Sequence, residues 1–268
     1  MQHYRSLEQI STHYQHVYLS PHLDDAILSC GGAIASHVAS GSRVLVITIC
    51  TAVPTRDQLG PLAEEFHGDW NLKHEEAVTA RLQEDVLAME RVGADYFWVG
   101  ALDAIYRKPF QYDTRENLFG TPLSDDPLYG ELTRLLPEVQ RQLAGATFYA
   151  PLGVGLHVDH QITFEVASQV FSGNLAFYED VYYALLPGEV EKRLSMLPGH
   201  YIASTVDISN QLQRKIGAID AYASQVPELF GGSEAMATAI SVYAEQLRPA
   251  ERTYGERIWL PAPATLVS

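Results

Sequence analysis

His22, Asp24 and Asp25 fall within four residues in S-P-H-L-D-D (Ser20 to Asp25), and His157, Asp159 and His160 within four in L-H-V-D-H (Leu156 to His160). Imidazoles and carboxylates grouped this closely are the raw material of an open metal site, which takes three protein ligands and keeps one position for water. His22 and Asp25, three apart on a loop entering a helix, can face one ion, and one imidazole of the second string completes the set. Asp24 is then left beside the metal as a base for water, and the spare imidazole as a donor to a developing oxyanion. The chemistry is metal-assisted hydrolysis of an amide. Either string alone is commonplace, since paired aspartates usually serve a helix N-terminus and an H-x-x-H pair is usually structural. The signal lies in having both.

The two strings must be brought together by the elements that carry them. Val17 to Ser20 reads as a short strand, and Ala26 to Gly41 as a helix whose Gly31 and Gly32 imply close packing against a strand or a backbone approach to ligand. Arg43 to Cys50 is almost continuously apolar, as central strands of parallel sheets are. Residues 51 to 70 read as a long loop, Asn71 to Val92 as an amphipathic helix closed by Gly93, and Tyr96 to Val99 as a strand. An irregular stretch from Gly100 to Asp126 precedes a helix over Tyr129 to Leu143, which Pro137 is expected to kink or split. Ala146 to Ala150 is a strand feeding the second string, followed by a helix over His160 to Phe171 and a strand over Ala176 to Tyr178. This alternation predicts a doubly wound parallel sheet with right-handed crossovers, whose ligands bind beyond the carboxyl ends of the strands. Further on the pattern weakens to a short helix over Val190 to Leu197, a short strand over Thr205 to Asp207, and a helix over Asn210 to Ser224.

Composition narrows the partners. The 268 residues are 47% hydrophobic and 19% charged, an ordinary globular balance, and the formal charge of −15 opposes a nucleic-acid backbone or an anionic membrane. No apolar run approaches the ~20 residues of a membrane span, and the N-terminal segment lacks the pattern of a signal peptide, so a cytoplasmic location is expected. Cys30 and Cys50 both lie in apolar runs and read as core residues rather than ligands.

On these motifs the chain resembles the LmbE-like, or PIG-L, de-N-acetylases, whose first motif is H-P-D-D and whose second is H-x-D-H. The resemblance implies an α/β, Rossmann-like, mostly parallel sheet with helices on both faces. It also implies a zinc-dependent enzyme that removes acetyl from N-acetylglucosamine-type conjugates, with Fe2+ as an alternative metal. By motif, His22, Asp25 and His160 are similar to the metal ligands, Asp24 to the general base, and His157 to the imidazole that polarises the carbonyl, with Asp159 orienting a histidine. Arg81 in R-L-Q-E and Asp103 in G-A-L-D are similar to positions that bind sugar hydroxyls. An ion pair between Arg81 and Glu84 on a solvated helix face is the competing account of the first. Tyr178-Glu179-Asp180 and Lys215 to Gln225 also look like family segments, so the likeness runs over roughly residues 15 to 230. Leu23 and Ala26 depart from the family's usual Pro and Glu, at positions that hold no implied ligand. The expected organisation is one domain over residues 1–268, with a core at about 15–185 and a C-terminal elaboration at about 186–268.

The implied partner is a small amino-sugar substrate, with no nucleic acid and no membrane insertion, and with homo-oligomerisation left open. Aromatics at Trp70, Tyr106, Phe110, Tyr112 and Phe119 suit a sugar ring or an acyl chain, or simply loop packing. Two alternatives use the same cluster. One is an amidase of another small N-acyl metabolite; the other is a non-haem iron enzyme with two histidines and a carboxylate. A nucleotide-binding domain would need G-x-G-x-x-G directly after the first strand, where the chain has H-L-D-D. No G-x-S-x-G nucleophile elbow is present.

Overall fold

The computed structural model describes residues 1–69, 74–108, 110–171 and 173–262. Its centre is the run β2 (His16–Ser20), α1 (Asp25–Ala39), β3 (Val44–Cys50), in which every residue of β3 is buried, as a strand covered by helices on both faces must be. Chain order continues through α2 (Pro61–Asp69), α3 (His74–Val92), β4 (Asp95–Ala101), α4 (Ala104–Arg107), α5 (Arg115–Leu118) and α6 (Pro127–Gln142). It then runs through β5 (Thr147–Pro151), α7 (Val158–Val170) and β6 (Leu175–Tyr178). The C-terminal part adds α8 (Glu189–Met196), β7 (Tyr201–Asp207), α9 (Leu212–Ile219), α10 (Val226–Phe230), α11 (Ser233–Gln246) and β8 (Gly255–Pro261). A two-residue strand, β1 (His3–Tyr4), precedes them all.

These strands form one sheet in the order β1-β4-β3-β2-β5-β6-β8-β7, parallel except where β8 pairs antiparallel with β6 and β7. From β2 the chain steps to β3 on one side and later to β5 on the other, so the order reverses between β2 and β5. Val17 pairs with Phe148 and Tyr18 with Tyr149, which sets the ends of both strands at one edge of the sheet. Helices α1, α3 and α9 pack together on one face and α6 with α7 on the other. The mostly parallel α/β architecture expected from the alternation is therefore the one observed.

Several local expectations are corrected. Residues 51–70 are not a plain loop: α2 lies within them, its Leu62, Ala63 and Phe66 buried in a second apolar cluster with Val78, Ile105, Tyr106 and Leu118. The helix placed over Asn71 to Val92 begins at His74 among the described residues. α6 runs through Pro137 as one helix, starting at Pro127 behind the Asp126 cap, whose side chain accepts from Leu128 N. β7 spans seven residues rather than three. The segment Asn210 to Ser224 is helical only over α9, while α11 and β8 were not anticipated.

Gly31 and Gly32 do mark close packing against a strand, and that strand is β8 of the C-terminal region, with Lys215 of α9 and Ile208 beside it. Glu256 of β8 accepts from the N–H groups of Gly32 (2.9 Å) and Ala33 (2.7 Å), while Lys215 Nζ donates to Glu256 Oε1 (2.6 Å) and to Ser29 O (3.2 Å). A Cβ on Gly32 would meet Glu256 and Ile208 at 2.8 Å. The ion pair is buried, and each charge is satisfied by the other and by backbone groups of α1.

Candidate active site

The first string leaves β2 as a tight turn built by Ser20. Its hydroxyl donates to His22 O (2.6 Å) and accepts from Ala26 N (3.0 Å), folding the chain back so that Asp24 and Asp25 open α1. Asp24 occupies the N-cap position, yet its side chain makes no capping bond and remains available. The second string follows β5 through P-L-G-V-G-L, where Gly153 (φ 83°), Gly155 (φ 83°) and Leu156 (φ 65°) all adopt left-handed backbone. Leucine is costly there; Gln161 Nε2 holds the turn by donating to Leu156 O (2.6 Å) and Gly120 O (2.7 Å). His157 then caps α7, its Nδ1 accepting from Asp159 N (3.2 Å).

Three donor atoms from the two strings converge. His22 Nδ1, Asp25 Oδ2 and His160 Nε2 are each 3.2 Å from the other two. Tetrahedral ligands at ~2.0–2.1 Å from a zinc-sized cation are separated by roughly 3.3 Å, so this triangle fits a divalent metal without rearrangement. His157 also groups with His22 and His160, within 4.8 Å. The triangle with Asp25 is the tighter grouping, every edge being 3.2 Å.

Both histidines are held from behind. His22 Nε2 lies 3.1 Å from Asp159 Oδ2 and 3.4 Å from Asp103 Oδ2; His160 Nδ1 lies 2.6 Å from Asp180 Oδ1. Asp180 Oδ2 in turn accepts from Gly153 N and Val154 N, both at 2.8 Å, tying His160 to its own loop. Burial opposes a charge on His22, but Asp103, Asp159 and Asp25 raise its affinity for a proton well above normal. Burial likewise opposes charging His160, yet Asp25 and Asp180 raise its pKa to about 10. A cluster that draws protons this strongly is a region of negative potential suited to a cation. His157 differs: burial, with His22 and His160 nearby, drives its pKa well below the usual imidazole value, so it is neutral. Its accepting Nδ1 then leaves the ring proton on Nε2.

Asp24 is buried, and Arg81 Nη2 lies 3.3 Å from its Oδ1. Burial raises the carboxyl's pKa, Arg81 opposes the rise and Asp25 adds to it. Arg81 is thus a buried partner of the site and not a surface residue, and Glu84 is directed elsewhere, accepting from Ser224 N (2.8 Å) and Oγ (2.7 Å). Asp103 caps α4 by accepting from Ile105 N (3.1 Å) while its other oxygen faces His22. Among the aromatics, Phe119 lines the cavity; Tyr106 and Tyr112 are core residues, Phe110 points to solvent, and Trp70 lies outside the described residues. Cys30 and Cys50 are free and buried.

The cavity above these groups measures about 340 Å³. His22, Asp24, Asp25, His157, His160, Arg81 and Asp103 line it, together with Phe66, Phe119, Tyr182, Tyr183, Gln225 and Leu229. All eight residues singled out from sequence therefore belong to one neighbourhood, although Asp159 lies behind His22 rather than in the lining. Sequence reasoning gave no role to Asp180, Arg107, Tyr183 or Gln225. Asp180 and Gln225 sat in segments marked as family-like, which was the one available signal.

The profile of the GlcNAc-PI de-N-acetylase (PIG-L) family matches residues 17–171, from β2 to the end of α7. The chain is similar to a 2'-N-acetylparomamine deacetylase of Streptomyces fradiae, 30% identical across 92% of this chain and 89% of that one. A 2'-N-acetylparomamine deacetylase of Niallia circulans is 28% identical across 64% of this chain and 66% of its own length. Among solved structures, the zinc-inhibited form of a teicoplanin deacetylase superposes with a TM-score of 0.77 at 27% identity, covering 94% of this chain and all (100%) of the other. No helix among the described residues is long and apolar enough to cross a membrane.

Proposed function

The chain belongs to the PIG-L family of de-N-acetylases, and from that premise we propose that it hydrolyses the acetamido group of a small N-acetylated amino sugar at a divalent-metal centre. The observation that carries this reading is the triangle of His22 Nδ1, Asp25 Oδ2 and His160 Nε2, 3.2 Å on each edge, with the carboxylate of Asp24, paired with Arg81 and not spent on the helix cap, lining the same cavity. Both relatives are 2'-N-acetylparomamine deacetylases by name, which supports an N-acetylated amino compound of that kind as substrate. A cavity of about 340 Å³ suits a sugar of one or two rings.

What a cation held by His22, Asp25 and His160 supplies is Lewis acidity, which polarises the acyl oxygen and lowers the pKa of water. Asp24 takes the proton of the attacking water and returns it to the departing amine nitrogen, so that the C–N bond breaks to free amine and acetate. Arg81 holds Asp24 in place and opposes the rise in pKa that burial and Asp25 impose on it, which favours the ionised form that acts as base. His157, neutral and protonated on Nε2, donates to the oxyanion that forms as the carbonyl is attacked. Asp103 and Arg81 line the cavity and would bind sugar hydroxyls there.

The test is acetate release from a panel of N-acetylated amino sugars, measured with protein stripped of metal and reloaded with Zn2+, Co2+, Fe2+, Mn2+ or Ni2+. Zinc is included at substoichiometric and excess levels because a structural relative is described in a zinc-inhibited form. Metal-dependent release from amino sugars supports the reading. Release only from other N-acyl metabolites moves the substrate class, and oxygen consumption with iron and no release overturns hydrolysis altogether.

A further inference from the structure

Arg107 does not line the cavity, and its side chain is 3% exposed. Its Nε and Nη2 reach Asp126 Oδ1 (2.6 Å) and Oδ2 (3.0 Å), and Nη1 donates to Leu102 O (2.6 Å). Nη2 also donates to Asp159 Oδ1 at 2.6 Å. The second oxygen of that aspartate, Oδ2, faces His22 Nε2 at 3.1 Å and accepts from Ala104 N at 3.1 Å. Asp126 is itself held by two further hydrogen bonds: it caps α6 through Leu128 N (2.9 Å) and accepts from Tyr112 OH (3.0 Å).

We propose that Arg107 is a positioning residue for the metal ligand His22, clamping Asp159 so that the imidazole presents an unprotonated Nδ1 to Asp25 and His160. A carboxylate is planar, so fixing Oδ1 on the guanidinium fixes the direction of Oδ2 and with it the ring that donates to it. Asp159 is completely buried, out of contact with bulk solvent. The guanidinium fork can hold two carboxylates at once with defined angles, whereas a lysine ammonium is a single point donor. The clamp ties the ligand to the N-terminus of α6, 104 positions away in sequence (126 − 22). The inference rests on the proposed reading that His22 holds the cation.

Affinity for Zn2+ and Co2+ is measured by competition with a chromophoric chelator, beside thermal unfolding, for wild type, Arg107→Lys, Arg107→Gln and Asp126→Asn. The expected result is at least ~10-fold weaker metal binding in both Arg107 variants, the scale on which outer partners of metal-bound histidines act, with a smaller loss in Asp126→Asn. A folded Arg107→Lys that is less heat-stable but binds both metals as tightly as wild type overturns the proposal, because a merely structural arginine behaves so. Should the variants fail to fold, histidine 15N spectra of zinc-loaded wild type decide, with His22 assigned against His22→Gln. Coordination through Nδ1 with the proton on Nε2 supports the clamp; coordination through Nε2 overturns it. A wild type that binds no metal sinks the functional reading itself, which separates the two failures.

Discussion

Nδ1 of His160 lies 2.6 Å from Oδ1 of Asp180, and this contact leaves only Nε2 of the ring to face His22 and Asp25. Because Asp180 also binds the N–H groups of Gly153 and Val154, one carboxylate sets both the His160 ring and the loop that delivers it. Asp180→Asn is expected to weaken metal binding by about 10–100-fold, the usual cost of losing a histidine's outer partner. Chelator competition measures it; unchanged affinity would show that the ring is held by packing alone.

Asp24 should separate turnover from metal binding. Asp24→Asn keeps the triangle of donors intact, so metal content stays at the wild-type level. The rate of acetate release is expected to fall by about 10²–10⁴-fold, the contribution of a positioned base. His160→Ala should instead lose the metal. Full activity in Asp24→Asn would remove that residue from the mechanism.

Asp85 makes stability depend on pH. Its carboxyl is fully buried, accepts from Trp98 Nε1 (2.8 Å) and Tyr222 OH (2.9 Å), and is pushed by burial up to about 7. In the unfolded chain it titrates near its ordinary value of ~3.9. Between those values the folded protein holds a proton that the unfolded chain has released. The resulting stability is fully present below about pH 4 and is lost as pH rises through about 7, at up to about 1.4 kcal/mol per unit. Asp85→Asn should flatten this slope, as read from urea midpoints between pH 5 and pH 8. Parallel slopes in the two proteins would contradict the assignment.

Gly155 gives way to an aromatic ring. A Cβ at that position would strike the Tyr183 side chain, and the backbone there has φ 83°. Gly155→Ala is expected to cost about 1–3 kcal/mol through overpacking and left-handed strain. Combined with Tyr183→Ala, it should cost less than the sum of the two single changes. Strict additivity in a double-mutant cycle would mean that the ring is free to move aside.

What could be read from the chain was whatever lay in one short string beside one strand. S-P-H-L-D-D and L-H-V-D-H disclosed the donors because β2 and β5 are neighbours whose ends share an edge of the sheet. β3 was plain because a strand buried on both faces is apolar throughout. Asp180 and Arg107 carry no such mark; their meaning lies in partners on other elements, reached only after folding. β8 was missed because three of its seven positions are intermediate and two exposed, which blunts any alternation. α2 was missed because its turns bury only a few side chains, against a small satellite cluster.

The place of β8 between β6 and β7 governs the order in which the molecule can be assembled. Among the described residues β7 has no hydrogen-bonded neighbour in the sheet except β8, yet it is translated 48 residues earlier, counting from Asp207 to Gly255. While the ribosome is still making the intervening stretch, β6 has an open edge and β7 has nowhere to dock. Glu256, arriving last, finds both Lys215 and the two waiting amides of α1. Closure of the sheet is therefore a late event, and a nascent chain stalled before Gly255 would present a bare strand edge to chaperones or to its own kind.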